Sequence, residues 1–385
     1  MDMALRKTFK YKLKPAPEQE RVMAFVLRRC RELYNAALQE RRDAWHKCGV
    51  SLTAASQSAQ LPEIKDVRPE YRDIHSQVLQ DVLTRLDRAF QAFFRRVKAG
   101  ETPGYPRFKS ANQYNSFTYK QVGNGATLDN GCLVLSKIGR LSVRWSCPLE
   151  GTPKTVTISR EADGWYVCCS CAEVLTQPLP LTGQETAIDL GLESFATLAD
   201  GSQIANPRLF RVAELNLKRA QRRVSRRKKG SKRRRKAVKL LAKAHQTVRR
   251  QRQDFHHKQA LSLVQQYDII YHEDLQVVNM VQNHALAKSF SDAGWGEFCA
   301  ILAFKAAYAG KRAVAVPPAF TSQTCSGCGV LVRKGLSVRW HLCPACGTSL
   351  HRDQNAALNI LLRGRESAAG QAVQALTQPV GAYVA

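Results

Sequence analysis

Four cysteines and three carboxylates carry the chemistry that this chain's residue types and spacing permit. Cys325-x2-Cys328 and Cys343-x2-Cys346 form two knuckles fourteen residues apart. Each knuckle brings two thiolates onto one tetrahedral ion, and the loop between them only has to return the second pair to the first. One structural zinc ion is therefore expected. Seven residues past Cys346 stands Asp353, in the run Arg352-Asp353-Gln354-Asn355-Ala356-Ala357-Leu358-Asn359-Ile360. A carboxylate so close to a closed metal site points to a zinc module that interrupts a catalytic domain.

Two further acids stand where a sheet would present them. Asp189 alternates with Ile188 and Leu190 in Thr186–Gly191, so it faces away from their side of a strand. Glu273 closes the apolar run Ile269-Ile270-Tyr271-His272 at its carboxyl end, where ligands of α/β sheets gather. Asp353 opens a helix on which Ala356, Ala357 and Ile360 follow at i+3, i+4 and i+7, which places it on the sheet-facing side. Three carboxylates at one sheet edge suit two Mg²⁺ ions, which prefer oxygen ligands and bind a scissile phosphate. Two such ions about 3.5–4 Å apart activate an attacking water and stabilise the leaving oxygen. Each acid also has a structural reading: Asp189 supporting a turn, Asp274 competing with Glu273, and Asp353 capping its helix.

The elements that must position these groups appear in three blocks. Residues 4–14 read as a strand ended by Pro15 and Pro17, and apolar stripes then predict helices over 18–45, 52–60 and 71–97. After a Gly/Pro break come five short strands at 117–119, 132–135, 141–145, 155–158 and 165–169, a small barrel that the first strand completes around a helical insertion. From Thr186 the order is three strands (186–191, 194–199, 202–204), a long helical stretch to Gln266, the strand 269–273, a helix over 295–308, the strand 313–316, the cysteine module and the helix from Asp353. That is the order of a ribonuclease H-like fold. The stretch after Arg365, rich in Ala, Gly and Gln, lacks a periodic face and is expected to be disordered.

The formal charge is +28, and Lys218–Arg252 is about half Lys and Arg without one acid. Such a block repels itself unless it lies beside a polyanion or in full solvent, so Arg226, Arg227, Lys228, Lys229, Arg233, Arg234 and Arg235 are candidate nucleic-acid contacts. A solvated basic helix face is the plainer reading. Of the twelve cysteines, eight are scattered without ligand spacing, and the N-terminus shows no signal peptide. A reducing cytosol is the expectation, not a disulfide framework. No apolar run reaches the length of about 20 residues that a membrane span needs.

Ala187-Ile188-Asp189-Leu190-Gly191, His272-Glu273-Asp274-Leu275, Ser291-Asp292-Ala293-Gly294-Trp295-Gly296-Glu297-Phe298, the four cysteines, and Arg352-Asp353-Gln354-Asn355-Ala356-Ala357, with Gly104-Tyr105-Pro106-Arg107-Phe108 upstream, together resemble the TnpB family over nearly the whole chain. These are transposon-encoded RNA-guided DNA endonucleases related to type V CRISPR effectors. The resemblance implies an α+β multidomain protein: an OB-like wedge β-barrel (1–15 and 102–182) with an inserted helical bundle for recognition (16–101), and a ribonuclease H-like RuvC domain (183–322 and 350–365) with an inserted four-cysteine zinc ribbon (323–349) before the tail 366–385. It implies Asp189, Glu273 and Asp353 as the catalytic, magnesium-binding acids, with two Mg²⁺ ions beside the structural zinc. His351 departs from the pattern, because relatives often carry an acid there.

The implied partners are a guide RNA from the element's own transcript and double-stranded target DNA with an adjacent motif. A monomer in the bacterial cytosol or nucleoid is expected. Base pairing would choose the sequence, while the protein handles backbone, shape and the short motif. Ser76, Gln77 and Gln80 are candidates for reading that motif, since Gln amides can read base edges; ordinary solvated helix residues are the competing view. Two other classes remain open at this point: a nuclease-inactive RNA-guided DNA-binding regulator, and a guide-independent zinc-ribbon RNA-binding protein.

Overall fold

A computed structural model describes residues 4–129, 131–335 and 337–377, with side chains through Ser367. The chain divides into two units, ending and beginning at Leu175 and Thr176. This lies before the boundary expected at 182/183. The reason is local: the amides of Gln177 and Leu179 donate to Tyr308 and Ala309 carbonyls, which ties the segment ahead of the second sheet to that sheet's own helix.

The first unit holds β1 (Ala4–Lys14), α1 (Pro17–Cys48), α2 (Ala54–Ala59), α3 (Leu61–Val67), α4 (Ser76–Lys98), β2 (Ser116–Tyr119), β3 (Ala126–Asp129), β4 (Cys132–Leu135), β5 (Gly139–Arg144), β6 (Thr152–Glu161) and β7 (Gly164–Leu175). The strands form one antiparallel sheet in the order β2-β6-β7-β1-β5-β4-β3. β1 is central because Phe9, Tyr11 and Leu13 alternate inward and both its edges are paired. β3 was not expected. Among the described residues no ladder joins β2 to β3, so the hydrogen bonds do not close a barrel. The helices pack on this sheet: the Arg85 guanidinium of α4 donates to Ser116 O at 2.8 Å and Thr118 Oγ1 at 2.7 Å on β2. α4 begins at Ser76 and not at Tyr71, because Ile74 is extended and the His75 ring accepts the Gln77 amide as an N-cap.

The second unit holds β8 (Glu185–Leu190), β9 (Ser194–Leu198), β10 (Gln203–Ala205), α5 (Leu209–Ser225), α6 (Lys232–Gln266), β11 (Ile269–Glu273), α7 (Val277–Met280), α8 (Ala287–Ala293), α9 (Trp295–Tyr308), β12 (Arg312–Val316), β13 (Trp340–Leu342), β14 (Ser349–His351) and α10 (Arg352–Thr377). Its main sheet runs β10-β9-β8-β11-β12, with β8, β11 and β12 parallel and β9 antiparallel to β8. These are the five strands expected from the sequence, in the expected order along the chain. The basic helical stretch is a hairpin instead of one helix, broken at Gly230, whose φ of 82° lies in the left-handed region.

One face of this sheet buries Ile188, Leu190, Phe195 and Ile270 with Leu263, Phe298 and Leu302 from α6 and α9. The other buries Ala187, Tyr271 and Val316 with Ile360 of α10. α10 continues to Thr377, past Arg365, where disorder was expected; its run of Ala, Gln and Leu has high helix propensity even without an apolar face. The rest of the expected tail, 378–385, lies outside the described residues.

Gly364 of α10 is where the helix meets the sheet most closely. A Cβ there would fall 2.1 Å from Tyr271 Cδ1. The ring has little room to move, being 1% exposed with its hydroxyl donating to Glu185 at 3.2 Å. Gly364→Ala is expected to lose about 1–3 kcal/mol to overpacking, more than the roughly 1 kcal/mol gained in helix propensity. The melting temperature should fall by about 2–4 °C per net kcal/mol. A calorimetric scan showing an unchanged or higher transition would mean that the ring yields.

Candidate active site and metal centre

Strand alternation puts the acids on one face. Ala187 and Tyr271 point toward α10, and so, two residues on, do Asp189 and Glu273. The parallel register pairs His272 with Ile188, so the next step places Glu273 beside Asp189 on a strand about 4.8 Å away. Asp353 lies in the first turn of α10, which packs across β8, β9, β11 and β12. Ala356, Ala357 and Ile360 are fully buried against the sheet, the face expected for them. The three sequence-derived acids therefore gather where β8 and β11 end and α10 begins.

Their electrostatics fit that placement. Burial pushes the Asp189 carboxyl well above the usual carboxylate range, with repulsion from Glu273 and Asp353 adding to it and the Arg352 guanidinium opposing. Burial also raises Glu273, while the Thr321 hydroxyl and Arg363 oppose. Crowded, partly desolvated carboxylates are the environment that a bound cation relieves. His351 sits two residues before Asp353 and its Nδ1 accepts the Asp353 amide at 3.3 Å. It thus satisfies one of the free amides at the start of α10.

The cysteines form a second centre. Their four Sγ atoms lie within 4.8 Å of one another, and among the described residues no other group of potential ligands is so tight. Cys325 and Cys346 are 3.6 Å apart and Cys328 and Cys343 3.5 Å apart, near the edge of about 3.8 Å for a tetrahedron with bonds of about 2.3 Å. The cluster can hold a metal ion such as zinc. Burial pushes the Cys325 thiol up, but hydrogen bonds from His341 and from the Gly327 and Cys328 amides outweigh it and hold the thiol at about 7. The Thr348 hydroxyl and amide hold Cys346 at about 6. Both shifts favour the thiolate, which is the ligating form.

The remaining site residues divide. Ser76 and Gln80 are exposed on α4. Gln77 is buried, its Oε1 accepting the Gln121 amide at 3.1 Å and its Nε2 donating to Gln121 Oε1 at 3.2 Å. Its amide group is thereby committed within the fold and not presented to a base edge. In the basic hairpin Arg226, Lys228, Lys229, Arg233 and Arg235 are exposed and Arg227 is half-buried. Arg234 turns inward and donates to Val224 O at 2.8 Å and Arg227 O at 3.1 Å, closing the α5–α6 turn. Arg219, Arg222, Arg223, Arg226 and Arg227 line a cleft of about 440 Å³ with no carboxylate among the described residues of its wall, the composition that phosphates seek.

Sequence reasoning missed Thr321, His341, Arg352, Asn355 and Asn359. Arg352 is buried and donates to Gly335 O at 2.9 Å and Ser322 Oγ at 3.2 Å. The signal for the two asparagines was present: polar residues at i and i+4 on the helix face that also buries Ala356 and Ile360.

Residues 165–284 match the family model OrfB_IS605, described as "Probable transposase", and residues 295–360 match "Cas12f1-like, TNB domain". Residues 1–49 match a "Helix-turn-helix domain" of the same family, although the described part of that stretch holds β1 followed by the single helix α1. A Streptomyces pristinaespiralis protein named "Putative RNA-guided DNA endonuclease" is 36% identical, covering 96% of this chain and 92% of its own length. "Putative RNA-guided DNA endonuclease InsQ" of Escherichia coli K12 is 31% identical over 95% of this chain and 94% of its own. The solved mini-RNA-guided endonuclease CRISPR-Cas_phi3 aligns with a TM-score of 0.48 at 11% identity over 93% of this chain and 92% of that one, a likeness too weak to carry a fold assignment. The chain belongs to the TnpB family, the OrfB group of IS605-type transposable elements.

Proposed function

We propose that the chain is an RNA-guided DNA endonuclease carried by a transposable element, cutting DNA beside a short adjacent motif at a RuvC-like, ribonuclease H-type site. The observation that supports a cutting site is the convergence of Asp189, Glu273 and Asp353 at the α10 face of the β10-β9-β8-β11-β12 sheet, and the guide is supported by the relatives named RNA-guided DNA endonucleases. The first unit is the wedge with its helical recognition insert, and residues 323–349 are the zinc ribbon. Asp189, Glu273 and Asp353 would hold two magnesium ions, which when bound supply activation of the attacking water and stabilisation of the leaving oxygen. Cys325, Cys328, Cys343 and Cys346 would hold one zinc, and with four thiolates the site is closed and structural.

The chain's own residues do the positioning. Asp189 and Glu273 come from adjacent strands, so sheet hydrogen bonds set their separation. Asp353 rides on α10, so the packing of Ala356, Ala357 and Ile360 sets the third position. Arg352 opposes the protonation of Asp189 that burial and the neighbouring acids favour. The exposed members of the basic hairpin and the arginine cleft would hold guide or heteroduplex phosphates, with Ser76 and Gln80 as the remaining candidates for reading the adjacent motif. A nuclease-inactive regulator would be favoured by loss of one acid, and all three are present.

Purification from a host carrying the element, followed by sequencing of bound RNA, tests the guide. An RNA from the element's own transcript ending in a variable segment is expected. Heterogeneous RNA without such a segment would favour a guide-independent RNA-binding protein.

A further inference from the structure

We infer that Thr321 is a positioning residue for Glu273, held in register by two asparagines of α10 that also grip the first zinc knuckle. The inference rests on the reading of Glu273 as a metal-binding acid and adds what fixes it. The Thr321 hydroxyl donates to Glu273 Oε1, and both residues are buried. One carboxylate oxygen is thus occupied and the other is left for a cation. Glu273 ends its strand, so the sheet alone leaves its side chain to choose among rotamers; a buried hydroxyl on one oxygen removes that freedom.

What holds Thr321 is unusual for a helix. Asn355 and Asn359, one turn apart, are 0% and 6% exposed, and asparagine is a poor helix former. Their amides are spent on tertiary contacts. Asn359 Nδ2 donates to Thr321 O at 2.8 Å and to Thr324 O at 2.7 Å. Asn355 Nδ2 donates to the same Thr324 O at 2.7 Å, and its Oδ1 accepts the Ser326 amide at 3.0 Å. The peptide groups on either side of Cys325 are therefore gripped by the helix that carries Asp353. One rigid piece thus links the third acid, the first thiolate and the residue that aims Glu273. This gives the knuckles a role beyond holding their own module together: they anchor the segment that positions a carboxylate.

The test uses the full-length protein with its zinc and measures Mn²⁺ binding by electron paramagnetic resonance beside guided cleavage. Thr321→Val keeps the shape and removes the donor; Thr321→Ser keeps the donor. Thr321→Val is expected to weaken Mn²⁺ binding about tenfold or more, the lower end of the range for losing a group that orients a metal ligand. It should also raise the Mg²⁺ concentration for half-maximal cleavage, with Thr321→Ser within about twofold of wild type on the same scale. Asn359→Ala should shift both readings in the same direction with the zinc content unchanged. Wild-type Mn²⁺ affinity in Thr321→Val would overturn the inference while leaving the acid site standing. If Thr321→Val fails to fold, Asn359→Ala with wild-type Mn²⁺ affinity would overturn it equally. A wild-type protein that binds no Mn²⁺ would overturn the acid site and the inference with it.

Discussion

Asp189→Ala is expected to abolish Mg²⁺-dependent cleavage while guided binding to the target survives. The loss should be at least about 100-fold, the scale set by removing one preorganised electrostatic contact to a transition state. The reason is positional. Asp189 feels both Glu273 on the neighbouring strand and Asp353 on α10, and both raise its pKa, so removing it takes away the acid that couples the proposed metal-binding set. It lies on the sheet face under α10, away from the basic hairpin that would hold the guide. The fold should survive as well, because burial already disfavours the charged form of this carboxyl, and deleting it leaves no new buried charge. The melting temperature should stay at or above the wild-type value in magnesium-free buffer. Cleavage at the wild-type rate would remove Asp189 from the site; binding lost together with cleavage would show that it supports the nucleic-acid interface instead.

Cys325→Ser is expected to have the second large effect, on folding of the module more than on the sheet. Structural zinc in small domains carries apparent binding free energies of about 10–16 kcal/mol, and one thiolate of four is lost. Cys325 is one of the two buried cysteines of the cluster, its thiol held at about 7 by His341 and two backbone amides, so a serine hydroxyl there would be a poor substitute. Zinc content should fall below one per chain, and residues 323–349 should become open to limited proteolysis while the main sheet resists it. Because Asn355 grips the peptide groups flanking Cys325, cleavage should fall too. One zinc retained per chain by metal analysis would dismiss Cys325 as a ligand.

The parts of the second unit that follow local rules were legible in the sequence. Alternation gave the facing of Asp189, and the i+3, i+4, i+7 spacing gave the buried side of α10. Ligand spacing brought the four thiols together. What was not legible depends on long-range partners. Gln77 reads as an exposed helix residue until Gln121, distant in sequence, takes its amide. Arg234 reads as one more cation of the block until the Gly230 turn points carbonyls at it. β3 is only four residues long and forms because β4 offers it an edge. The helix beyond Arg365 was missed for the opposite reason: it lacks apolar periodicity, and the intrinsic propensity of its interspersed Ala, Gln and Leu carries it instead. Thr321 lies in no motif, and only its hydrogen bond to Glu273 brings it to notice.

The most direct test of the central claim is cleavage of a plasmid by the purified protein reconstituted with an RNA whose terminal segment has been exchanged. Cutting in Mg²⁺ should move to the site complementary to the new segment, beside the same adjacent motif, and should vanish in the Asp189→Asn, Glu273→Gln double variant. A cut that stays in place whatever the RNA, or that persists in the double variant, would contradict the account.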